Sequence, residues 1–133
     1  MAETSRRTTS TDFAQRWLEG WNSHDVEAVL AHFADDVVFR SPVAARLLPD
    51  SNGVIRGKDE LRRYWTEALR QLPDLHFELL GVYSGVDTVV IHYGNQKRGL
   101  VNEVLVFGDG LVREGYATYL GADDNAAAPP EKP

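Results

Sequence analysis

Residues 88–119 read TVVIHYGNQKRGLVNEVLVFGDGLVREGYATY, and this stretch decides the fold. It breaks into β-prone runs at 88–95, 99–107 and 111–119, the last two parted by Gly108-Asp109-Gly110, and a further run at 76–84 precedes them across Gly85-Val86-Asp87. Links this short force neighbouring strands to be antiparallel, so a four-stranded meander is predicted. The runs are apolar on both parities: Val89, Ile91 and Tyr93 share one face, Val90 and His92 the other. A sheet wetted on one side alternates more cleanly. Both faces are therefore expected to be covered, one by helices and the other by a partner.

The helices lie upstream. Phe13, Ala14, Trp17, Leu18 and Trp21 recur at spacings of three and four from Asp12, one face of an amphipathic helix that Gly20 weakens. A short second helix follows Asp25 as N-cap, with Val26, Val29, Leu30 and Phe33 on its stripe. The clearest is the third: Leu61, Tyr64, Trp65, Ala68, Leu69 and Leu72 form its stripe, Asp59-Glu60 suits its first turn and Pro73 stops it. Between the second and third, Val37–Phe39 reads as a short strand ending at Ser41-Pro42. Residues 42–53 read as a long loop whose Val43, Leu47 and Leu48 fold over either the core or a cavity mouth. The fold class is α+β, three helices packed into a strongly curved, mostly antiparallel sheet. Residues 1–11 read as a disordered start, 12–120 as the working domain and 121–133 as a disordered tail.

At 133 residues the chain fits one domain. A net charge of −6 disfavours phosphate backbones and anionic lipid surfaces, so neither nucleic acid nor membrane is an expected partner. The absence of cysteine excludes disulfides, thiolate metal sites and a cysteine nucleophile. No run approaches the ~20 apolar residues of a membrane span, and Arg6-Arg7 is not followed by the apolar region of a secretion signal. A cytoplasmic location is expected. No histidine pair with an acid stands at metal-ligand spacing and no Gly-rich phosphate loop opens a helix, so neither a metal nor a nucleotide cofactor is expected.

The order of elements, together with Trp17-Leu18-Glu19-Gly20-Trp21-Asn22-Ser23-His24-Asp25, Phe33-Ala34-Asp35-Asp36-Val37, Arg56-Gly57-Lys58 and Val104–Phe107 before Asp109-Gly110, resembles the nuclear transport factor 2-like superfamily, its SnoaL-like branch above all. The resemblance covers about residues 12–120. It implies a cone-shaped α+β barrel, a cavity between the concave sheet and the helices, and a homodimer through the sheet's outer face. Ketosteroid isomerases, polyketide cyclases, epoxide hydrolases, dehydratases and carriers share this fold, so it does not choose an activity. Laid on this chain, the isomerase pattern puts the base at Ser41, the oxyanion tyrosine at Trp17 and the protonated acid at Glu103. A serine hydroxyl is a poor proton acceptor and an indole a far weaker acid than a phenol, which excludes isomerisation by that route. The Asp-Arg-Asp relay of limonene-type epoxide hydrolysis finds no match on the late strands.

Glu103 is the candidate catalytic residue. It shares a parity with Val101, Leu105 and Phe107, which should face the cavity, where desolvation would raise its pKa and suit it to general acid or base work. A structural carboxylate bonded to Tyr93, Trp17 or a backbone amide fits the same residues. Trp17, Trp21, Ser41, Tyr64, Tyr93 and Tyr119 are candidate ligand-binding residues, although the aromatic ones equally suit helix packing. Gly115 and Ala117 would leave room for a ligand. Alternation turns His92 outward, and Arg40, Arg46 and Arg56 flank the expected mouth. The expected function is a pocket for a small, mostly apolar metabolite, with acid/base chemistry of cyclase, isomerase or dehydratase type through Glu103. The alternative is a non-catalytic ligand carrier or dimeric association domain.

Overall fold

The structure, a computed structural model, describes residues 2–121, with side chains from Ser10 onward. Its first helix, α1 (Ala2–Asn22), starts ahead of Asp12, where the sequence suggested a disordered segment. The expected C-terminal tail lies, from residue 122 on, outside the described residues. Helix α2 (Val26–Leu30) begins as expected: the Asp25 side chain accepts a hydrogen bond from the Ala28 amide and satisfies a donor that the first turn leaves free. Gly20 does more than weaken α1. A Cβ there would sit 2.8 Å from the Val29 Cγ2, so the missing side chain is what lets α2 fold back against α1.

Phe33, expected on the α2 stripe, instead opens strand β1 (Phe33–Arg40). The largest departure follows. Residues 42–53 are not a structureless loop but helix α3 (Pro42–Leu47) and a 3-10 turn (Pro49–Ser51). Ser41-Pro42 is a helix start rather than a strand stop alone: the Ser41 hydroxyl accepts from the amides of Val43 and Ala44, and proline at the first helical position lacks an amide that would go unpaired anyway. The described residues thus hold four α-helices, not three. Strand β2 (Val54–Arg56) and helix α4 (Lys58–Gln71) complete this half; α4 buries Leu61, Tyr64, Trp65 and Ala68 as its stripe predicts.

Strands β3 (Glu78–Gly85), β4 (Thr88–Gly94), β5 (Leu100–Gly108) and β6 (Leu111–Tyr119) form the predicted meander. The curled six-stranded sheet runs β2-β1-β6-β5-β4-β3, and only β1 and β6 pair in parallel. One parity of each central strand is buried beneath the helices, including Val89, Ile91 and Tyr93 on β4 and Val101, Glu103 and Leu105 on β5. The opposite parity, with the cross-strand row Val90, Val104 and Tyr116, stays half-exposed. His92 lies on that outer side, hydrogen-bonded through Nδ1 to the Asn102 side chain, as alternation predicts.

At the parallel joint Phe39 pairs with Gly115, and a Cβ on Gly115 would come within 2.6 Å of the Phe39 ring. The ring is buried and cannot swing away. Gly115→Ala is therefore expected to destabilise the fold by about 1–3 kcal/mol through overpacking, read as a lower urea midpoint with an unchanged denaturant slope.

Candidate functional site

The helices and the concave side of the sheet frame a half-open cavity of about 110 Å³. Trp17, Trp21, Ser41, Tyr64, Tyr93, Glu103 and Tyr119 all line it. They arrive from α1, the end of β1, α4 and strands β4 to β6. Sequence reasoning missed Phe39 and Phe77 as wall residues, because an apolar ring facing a cavity has the same pattern as one facing the core; Trp65, which suits helix packing or the pocket on sequence grounds, lines it too. It also missed the β4–β5 turn, whose Asn95, Gln96 and Lys97 reach the cavity opposite Val43 and Arg46 of α3. Of the three arginines expected at the mouth, only Arg46 lines the cavity. Arg40 lies over the Tyr116 ring, 5.0 Å from its centroid, and Arg56 borders a separate surface groove with Glu60.

Phe77 is held by a local device. The Asn22 side chain donates to its carbonyl at 2.9 Å and accepts from its amide at 2.7 Å, so the end of α1 imitates a strand partner just ahead of β3. The clamp presses Phe77 onto Tyr93 and Trp17, with ring centroids 4.4 and 5.9 Å away. Aromatic packing of this kind fixes ring orientation as well as burying area.

Glu103 is 4% exposed, and its cross-strand neighbours are Ile91 on β4 and Ala117 on β6. Neither can solvate a charge. Burial pushes its carboxyl up to about 8, against the opposing pull of the Tyr93 hydroxyl, which donates to Oε1 at 3.0 Å. At neutral pH the group is therefore largely protonated, with one oxygen occupied by Tyr93 and the other available. Burial first, then the neighbouring Glu103, pushes the Tyr93 phenol upward as well. Ser41 does two jobs: it caps α3, and its Oγ lies 3.2 Å from the Tyr64 hydroxyl. Burial raises the phenols of both Tyr64 and Tyr119, with the nearby Ser41 hydroxyl pulling the other way.

Among the described residues the indole nitrogens of Trp17 and Trp21 and one guanidinium nitrogen of Arg40 are buried with no protein hydrogen-bond partner. Among the described residues no group of three or more histidine, aspartate or glutamate side chains is placed to hold a metal. No helix among them is long and apolar enough to cross a membrane.

A family model of the SnoaL-like domain matches residues 14–120. The crystal structure of a SnoaL-like protein of unknown function from Burkholderia thailandensis is 42% identical, with 84% of this chain and 94% of that one covered and a TM-score of 0.80. A protein of unknown function with a cystatin-like fold from Methylobium petroleophilum is 18% identical, covering 92% and 83% with a TM-score of 0.70. A candidate polyketide cyclase from Sinorhizobium meliloti is 15% identical, covering 80% and 94% with a TM-score of 0.66. The last two show the fold alone. No protein of curated function matches.

The raised carboxyl has a thermodynamic signature. Below the ordinary value of 4.5 Glu103 is protonated in both folded and unfolded chains; between 4.5 and about 8 only the folded chain keeps the proton; above 8 both lose it. Its contribution to stability should thus fall as pH rises from 4.5 to 8, by up to about 1.4 kcal/mol per pH unit, and then level off. Urea melts across this range should show Glu103→Gln flattening the decline and gaining on the parent towards pH 8. Parallel curves for the two proteins would mean that Glu103 carries no elevated pKa.

Proposed function

Because this chain belongs to the SnoaL-like domain family, we propose that it binds a small, mostly apolar molecule in the cavity beneath the sheet and that Glu103 acts on it as a general acid. The observation that carries this reading is the Glu103–Tyr93 pair: a protonated carboxyl, fixed through one oxygen, on the wall of an apolar cavity. A neutral acid at pH 7 can protonate or hydrogen-bond a carbonyl or a departing hydroxyl, the step that cyclisation and dehydration share. No comparable base faces it. Ser41 already accepts two backbone amides, and Tyr64 and Tyr119 are phenols kept neutral by burial.

Size narrows the ligand. A cavity of about 110 Å³ is well below the ~300–1,000 Å³ of a drug-sized site, so a tetracyclic steroid or polyketide does not fit this conformation. We also infer a cytoplasmic setting, for which cysteine-free composition is the support, and a homodimer through the outer sheet face. Half-exposed Val90, Val104 and Tyr116, with Tyr83 63% exposed beside them, make that face apolar enough to pair with a copy of itself.

Exchange of the α-hydrogens of cyclopentanone with solvent deuterium, followed by NMR, tests the acid. The wild type should accelerate exchange by hydrogen-bonding the carbonyl while solvent water takes up the α-proton, the rate should fall as pH rises through about 8, and Glu103→Gln should lose about 100-fold or more while staying folded at the assay pH. Equal rates for the two proteins would take Glu103 out of the mechanism and leave a carrier. Native mass spectrometry should show twice the chain mass; a monomer at micromolar concentration would end the dimer reading.

A further inference from the structure

In a chain of net charge −6, the wall of this cavity carries the opposite sign. Among the described residues that line it, Arg46 and Lys97 are the side chains ionised at neutral pH: Glu103 keeps its proton, and burial keeps the phenols of Tyr64, Tyr93 and Tyr119 neutral. The two cations come from separate elements, α3 and the β4–β5 turn, and both are exposed, so they stand at the opening rather than in the apolar depth. Arg46 is nevertheless near enough to act inside. Burial is what chiefly raises the phenols of Tyr64 and Tyr119, and the Arg46 charge works against that rise at both.

The neutral groups of the rim add donors rather than acceptors. Asn95 turns its side-chain oxygen to the amides of Lys97 and Gly99, at 2.9 Å each, which leaves its NH₂ as the end open to other partners. The Gln96 oxygen accepts from the His76 amide at 3.4 Å, so there too the donor end remains. Arginine and lysine side chains only donate. Such a rim suits an acceptor that carries negative charge. A phosphate is the wrong one, because the first amides of α3, the backbone groups that would cradle it, are already taken by Ser41. A carboxylate at a half-open mouth keeps part of its water, so it escapes most of the cost of burial. The apolar wall takes the rest of the molecule: a cavity of ~150 Å³ admits benzene, so one of about 110 Å³ with an open end admits a single ring. Resting on the cavity reading above, we propose that the ligand is a small monocarboxylate, one ring or its equivalent in size, whose apolar body fills the cavity while its carboxylate is held at the mouth between Arg46 and Lys97.

Benzoate and benzamide have nearly the same shape and differ in charge. Each is titrated at pH 7 into full-length protein labelled with ¹⁵N and with ¹³C in the alanine and valine methyls, and the Val43, Ala68 and Ala117 methyl signals report the cavity. Benzoate should move these signals and bind about tenfold more tightly than benzamide, an advantage that should shrink as salt rises from about 20 mM to about 500 mM. Arg46→Gln and Lys97→Gln should each weaken benzoate about threefold, and together about tenfold, while benzamide binds each variant as it binds the parent. That unchanged benzamide affinity also shows that the variants are folded. Equal affinities for the two compounds, or a benzoate preference that survives the double substitution, would overturn the anion assignment and leave the cavity standing. Benzoate shifts confined to Arg46 and Lys97 would be surface ion pairing and would overturn it too. If neither compound moves a cavity methyl up to its solubility, the cavity reading falls and this proposal with it.

Discussion

The contact of Phe39 with Gly115 is the constraint on which the rest of the molecule depends. It sits where the first and last long strands meet, β1 against β6, the only parallel pairing in the sheet. A parallel joint needs a long connection, and here residues 41–110, about half of the chain, lie between its two strands. Gly115 has no side chain to hold the strands apart, so the Phe39 ring can lie flat on β6 and turn its other edge to Trp65, 5.5 Å away. One contact therefore joins β1 and β2 to the meander, seats α4 and builds a wall of the cavity. It also fixes the end of β1, and so the place of Ser41 and the start of α3.

Once the sheet is curled, the character of Glu103 follows from its register. Ile91 and Ala117 flank it across the strands and Val101 and Leu105 share its face, so no neighbour can stabilise a negative charge except the Tyr93 hydroxyl. One neutral hydrogen bond does not replace the hydration that a carboxylate gives up on burial. Desolvation wins, and the group keeps its proton near neutrality. The two readings open at the level of sequence, a cavity-facing acid and a carboxylate bonded to Tyr93, turn out to describe one geometry. Tyr93 holds one oxygen, and the other is left for whatever enters.

Where periodicity carries the information, the sequence was legible. Alternation on β4 and β5 places Ile91, Tyr93 and Glu103 inward and His92 outward, and the i, i+3, i+4 stripe of α4 is the buried one. All the candidate wall residues share one cavity, because a side chain's parity on a strand decides which face it meets. Short-range chemistry with two meanings was less legible. Ser41-Pro42 ends a strand and caps a helix, and only the second role reveals α3. Gly20 looks like a helix defect until Val29 packs against it. The rim at Asn95–Lys97 had no signal at all: a polar turn reads the same whether it faces solvent or the mouth of a cavity.

The site is costly to the fold. Trp17, Trp21 and Glu103 bury polar atoms in a wall dominated by the rings of Phe39, Trp65 and Phe77, and burying a polar group is unfavourable unless it is paired. The uncharged state of Glu103 at neutral pH is a further departure from what an acid prefers. Against a net stability of ~5–15 kcal/mol such concessions are large, and one more of the same kind, a buried Arg40 guanidinium nitrogen, lies outside this wall. Simple substitutions would remove them: phenylalanine for either tryptophan deletes an unpaired donor, and leucine for Glu103 deletes the buried acid. A chain shaped by stability alone would carry such residues. Local breaches of packing and pairing rules are where a functional site is sought, and here an acid holding its proton stands on an apolar wall.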